Sequence, residues 1–149
     1  MTTVPTSAPA TAVPRRRAAM ILIAATALAI AVNAVVAFIA LAAGVSPTFG
    51  GLTAPAYGSM TIVGMVAGWI GWRLIATRAR NPRKALSVAV PTVLILSFVP
   101  DILLATLHFM PGATPPAVLA LAVMHVVVVA VAVPAYISAS RSLTRQTIA

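Results

Sequence analysis

The sequence predicts an all-α fold, a four-helix transmembrane bundle with both termini on the cytoplasmic side and a disordered N-terminal tail. Three observations carry this. Apolar residues make up 61% of the chain and charged residues 7%, against roughly a quarter charged in an ordinary globular domain. Four apolar runs are long enough to cross a hydrocarbon core of ~30 Å at ~1.5 Å per residue. Lys and Arg gather in the segments that alternate spans place on one side.

The elements follow in chain order. Residues 1–14, "MTTVPTSAPATAVP", have little to bury and no period, so they read as a disordered cytoplasmic tail. Residues 15–145 form the membrane domain. "RRR" (Arg15, Arg16 and Arg17) precedes the first apolar run, 18–43. "RRR" with the following run and "ALAAG" has the outline of a secretory signal, but signal cores typically hold 7–15 residues. The longer run here reads as an uncleaved anchor. "GVSPTFGGLTAPAYG" is a Gly- and Pro-rich loop. The second span is 57–77. "RARNPRK" makes a basic turn, with Arg78, Arg80, Arg83 and Lys84 around Pro82. The third span is 85–107, "HFMPGATPP" is the second loop, and the fourth span is 117–140.

Helices satisfy their own backbone polar groups in lipid, which is why each span is read as a helix. The net charge is +9, from ten Lys and Arg against one acidic residue. The tails and the middle loop carry the basic residues, and Arg73 near the inner end of span two can snorkel. The other two loops have no Lys or Arg. That asymmetry places the termini and the middle loop on the cytoplasmic side, where the basic groups can touch anionic lipid heads. Phe49, Tyr57 and Phe109 read as anchors at the outer interface, Trp72 and Tyr136 at the inner one. The basic residues lack aromatic interleaving, so nucleic acid is not expected as a partner. The bilayer is the expected partner, and a protein partner or a homo-oligomer stays open. Cysteine is absent, which excludes disulfides and thiolate sites.

Asp101 is the sole acidic residue, and it lies within the third apolar run. Counting from the outer ends of the spans puts Asp101 about 9 Å deep, His125 about 12 Å and Asn33 about 15 Å. The three overlap in depth on three helices. Ser97 is one turn before Asp101, and Pro100 just before it removes a backbone bond to the Leu96 carbonyl. Pro100 reads as a helix break, and Pro134 as a kink or break in span four. His108 reads as a solvated loop residue.

A lone carboxylate in low dielectric is driven toward its neutral form, while a protonated imidazole beside it favours the ion. An ionisable group inside the membrane is costly and usually faces the bundle interior or a wet cavity. Two readings stay open. The polar cluster Asn33, Ser97, Asp101 and His125 can be hydrogen-bond glue that organises the bundle or a partner interface. Alternatively, Asp101 and His125 can serve a proton- or cation-linked transporter or accessory subunit. No metal is expected, because nothing fixes the spacing of two His and one Asp on different helices. No nucleophile–base pair, phosphate loop or cofactor motif is readable, so neither enzyme activity nor a cofactor is expected. Gly64, Gly68 and Gly71 form a small-residue face expected to pack against span one, where Ala29, Asn33 and Ala37 share a face.

"VNAVVAFIALAAGV", "SFVPDILLA" and "LALAVMHVVVVAVAVPA" resemble an uncharacterised family of small four-span actinobacterial membrane proteins. The resemblance covers most of the chain from Arg15 to Ser140. Asn33, the Pro100–Asp101 step and Met124–His125 carry it. It implies the topology and singles out the polar residues, and it implies no reaction or substrate. Small multidrug exporters are a contrast: their key carboxylate is a Glu in the first span, and their spans are richer in aromatics.

Overall fold

The computed structural model describes residues 13–107 and 110–144. Its helices are α1 (Val13–Ala42), α2 (Ala54–Arg78), α3 (Pro82–Ser97), α4 (Val99–Leu107) and α5 (Pro115–Thr144), with a short 3-10 turn at Gly50–Leu52. Together α3 and α4 make the third of four stretches long and apolar enough to cross a membrane. There is no strand among the described residues.

Three helices start two or three residues before their expected spans. Pro55, Pro82 and Pro115 lie in their first turns, where a missing N–H costs nothing and a fixed φ favours helix. These prolines begin helices rather than merely ending loops. At α3 the Asn81 side chain also accepts a hydrogen bond from the Lys84 N–H at 3.2 Å, a regular N-cap. Similarly, α1 begins at Val13, inside the stretch expected to be tail. The rest of that stretch lies outside the described residues.

Large side chains point outward and small ones inward. Phe38, Ile23 and Ile95 are 71%, 69% and 66% exposed, while Ala29, Ala117 and Ala139 are fully buried. A soluble bundle would reverse this pattern, and an outside of this kind suits an apolar solvent. Ala25, Ala29, Ala37 and Ala40 form a buried stripe on α1. Ala117, Ala120, Ala132, Ala135 and Ala139 do so on α5. The α1–α5 seam is the most extensive in the molecule, as small residues at helical spacing allow. Helix α5 also packs on α2, α3 and α4.

Two apolar clusters fill the interior. One, toward the loops that lack Lys and Arg, holds Phe49, Leu52, Leu104 and Met124. The other, toward the basic end, holds Ala25, Met65, Ala132 and Tyr136. Phe49 and Tyr136 are therefore core residues, 1% and 4% exposed, and not interface anchors. Phe49 closes the bundle beneath the loops, where Gly112 holds φ +78° beside it; glycine adopts that conformation at no steric cost. The Tyr136 hydroxyl donates to the Met65 carbonyl at 2.6 Å, which is how a buried phenol is normally satisfied.

The glycine face packs differently from the expectation. A Cβ on Gly64 would meet Val128 at 3.8 Å, and one on Gly68 would meet the Tyr136 hydroxyl at 2.7 Å. At these two glycines α2 thus receives α5, while α1 meets α2 further along, at Thr61. At Gly71 a Cβ would meet nothing. Pro134 lies inside an unbroken α5, so it is not a helix break.

Candidate functional site

Asp101 and His125 come together. Asp101 lies in the first turn of α4, and His125 lies on α5 ten residues after Pro115. The His125 Nδ1 is 3.2 Å from the Asp101 Oδ2, with the carboxylate side chain 8% and the imidazole 36% exposed. The same Nδ1 is 3.0 Å from the Leu121 carbonyl one turn back. A carbonyl only accepts, so a hydrogen bond to Leu121 places a hydrogen on Nδ1. Since that hydrogen serves Leu121, Oδ2 is left at ion-pair distance with no aligned donor. The Phe98 ring meets the imidazole edge-on at 6.0 Å, shielding one side of the pair.

The interruption next to the pair is slight. Phe98 alone separates α3 from α4, and its φ −81°, ψ −12° stay in the right-handed region. Its N–H bonds the Ile95 carbonyl at 3.1 Å, and its own carbonyl accepts from Ile102 at 2.9 Å. The chain tightens by one residue instead of opening. This tightening lies just before Pro100, which has no N–H to give the Leu96 carbonyl, and it places Asp101 near the amino end of α4, where a negative charge is favoured.

Asn33 and Ser97 take other partners. The Asn33 side-chain amide donates to the Thr61 hydroxyl at 2.9 Å, joining α1 to α2. Both residues are buried, and the Asn33 Oδ1 has no hydrogen-bond partner. The Ser97 hydroxyl donates to the Leu94 carbonyl of its own helix at 2.7 Å. The expected cluster of four is therefore two separate contacts, α1–α2 and α4–α5, and Ser97 belongs to neither.

Sequence reasoning passes over Thr61. Its position three residues before Gly64 and seven before Gly68 puts it on the small-residue face, a signal able to reveal it. A second unexpected contact lies near the basic end, where the Trp72 indole N–H donates to the Ser140 hydroxyl at 3.1 Å.

Arg15, Arg16, Arg17, Arg78, Arg80, Arg83 and Lys84 lie at one end of the bundle, at the start of α1, the end of α2, the turn after it and the start of α3. Arg73 is half-buried, with its guanidinium 5.8 Å from the Trp69 ring centre. His108 and Phe109 lie outside the described residues. Among the described residues no three His, Cys, Asp or Glu side chains gather.

A family model described as a family of unknown function (DUF6069) matches residues 11–142. No curated protein and no solved structure matches the chain.

Proposed function

The chain belongs to the DUF6069 family of unknown function, and we propose that it is a non-enzymatic, multi-pass protein of a bacterial cytoplasmic membrane. Its polar contacts hold four lipid-facing helices in one arrangement, with both termini cytoplasmic. One observation carries the organising role. Two polar contacts within the bundle join different helix pairs, the buried Asn33 to Thr61 and the partly buried Asp101 to His125. Lipid supplies no hydrophobic drive between helices, so small-residue packing and such contacts must choose which faces meet. The positive-inside distribution of Arg and Lys supports the orientation.

A double-mutant cycle tests the reading. Asn33→Leu and Thr61→Val keep the shapes and remove the hydrogen bond. Unfolding in mixed detergent micelles should give a coupling of about 0.6–2 kcal/mol. Strictly additive losses would mean that the contact organises nothing.

A specific feature favours a second reading, proton- or cation-linked work by Asp101 and His125. The Asp101 Oδ2 is buried without an aligned donor, as a group that receives a proton or cation would be. Proteoliposomes holding a pH-sensitive dye should then show a flux that Asp101→Asn abolishes. Wild-type flux equal to that of empty liposomes would rule this reading out.

A further inference from the structure

An open groove of about 460 Å³ lies at the basic end between α1, α2 and α5. Arg15 and Arg73 contribute its charge, and Ala18, Leu22, Trp69 and Leu143 its apolar wall. Arg73 is five residues inside the end of α2, about 7 Å below it. No acidic side chain is at hand for either arginine. Asp101 is the sole one in the chain, and it stands against His125. The Trp69 ring beneath Arg73 attracts the guanidinium without neutralising it.

We propose that this groove binds one anionic phospholipid of the adjoining leaflet. The two guanidinium groups take its phosphate, and the apolar wall takes the start of an acyl chain. Arginine suits this because its planar fork matches phosphate oxygens. The combination of a paired positive charge and an apolar wall favours an amphiphile over a soluble anion. The proposal rests on the membrane placement and adds a defined site to the diffuse attraction of the basic loop.

The test uses the full chain in phosphatidylcholine nanodiscs. The protein has two tryptophans, and Trp72→Phe leaves Trp69 as the reporter. Brominated phosphatidylglycerol should quench Trp69 on the order of tenfold more effectively, per mole, than brominated phosphatidylcholine. Arg15→Ala with Arg73→Ala should remove that excess, while Arg78→Ala with Arg83→Ala, the same charge taken from the end of α2 and the start of α3, should leave it. Equal quenching by the two lipids, or equal loss in the two double variants, overturns the site. Competition by soluble glycerol phosphate to the full extent overturns it in favour of a soluble anion. Should the Arg15/Arg73 variant not fold, the unaltered groove decides: quenching must saturate with phosphatidylglycerol fraction, and a linear rise refutes a single site. Absence of quenching by either lipid would instead contradict the membrane placement itself.

Discussion

The third and fourth spans each carry prolines in mid-helix and respond differently. Helix α5 runs unbroken through Pro134, whereas the third span is interrupted at Phe98, just before Pro100. Each proline removes one backbone bond, and neither residue type nor apolar context separates them. Packing does. Helix α5 touches every other helix, and its most apolar stretch is 22% buried, against 11% for that of the third span. Contacts on several sides hold α5 helical and offset the lost bond. The third span is held on fewer sides, so the defect shows. It shows beside Asp101, where a fresh helix start stabilises a carboxylate. Pro91 sharpens the lesson, since it lies inside α3 without interrupting it. Proline permits a break, and packing together with the neighbouring polar contact decides whether one appears.

The largest expected effect comes from attacking the hold on α5. Gly68→Ala would place a Cβ 2.7 Å from the Tyr136 hydroxyl and 3.3 Å from its ring. Tyr136 must move and lose its bond to the Met65 carbonyl, so unfolding in mixed micelles should fall by about 2–4 kcal/mol. Gly71→Ala enters open space and should be neutral or slightly stabilising. If the two variants unfold alike, α2 does not grip α5 as described, and the contrast between the spans loses its basis.

The tie on the third span should be weaker. Asp101→Ala removes its ionic contact with α5 but leaves His125 bonded to Leu121. A loss of about 1–2 kcal/mol is expected, with Asp101→Asn costing less because it keeps a polar group at ordinary size. A loss from Asp101→Ala as large as that from Gly68→Ala would show that the third span is held as firmly as the fourth.

Much of this architecture is legible in the sequence, and the part that is not has one physical cause. Hydropathy and length locate the four spans, and counting along helices places Asp101 and His125 at similar depth. Depth is one coordinate, and azimuth is the other. In lipid every face of a helix is apolar, so no amphipathic stripe marks the inward side. Depth alone therefore groups Asn33 with Asp101, although Asn33 faces Thr61. Thr61 itself leaves little trace, because membrane threonines commonly bond their own helix, as Thr26 does to Leu22 and Thr92 to Val88. Tyr136 and Phe49 read as interface anchors because aromatics near helix ends usually are. Only the close approach at Gly68 and the turn beside Gly112 put them inside.

The smallest effects separate proline from its surroundings. Pro134→Ala should leave α5 as it is, with Cα chemical shifts unchanged beyond the adjacent turn and stability moved by about 1 kcal/mol or less, because tertiary contacts already enforce the helix. Pro100→Ala restores an N–H able to reach the Leu96 carbonyl. If the missing bond alone causes the interruption, the shifts of Phe98 and Val99 should become those of continuous helix. If the pull of Asp101 on His125 shares the cause, they should stay displaced in Pro100→Ala and relax only when Asp101→Ala is added. The comparison of the two spans favours the second outcome, since Pro91 and Pro134 show that a proline without a neighbouring buried carboxylate leaves these helices whole.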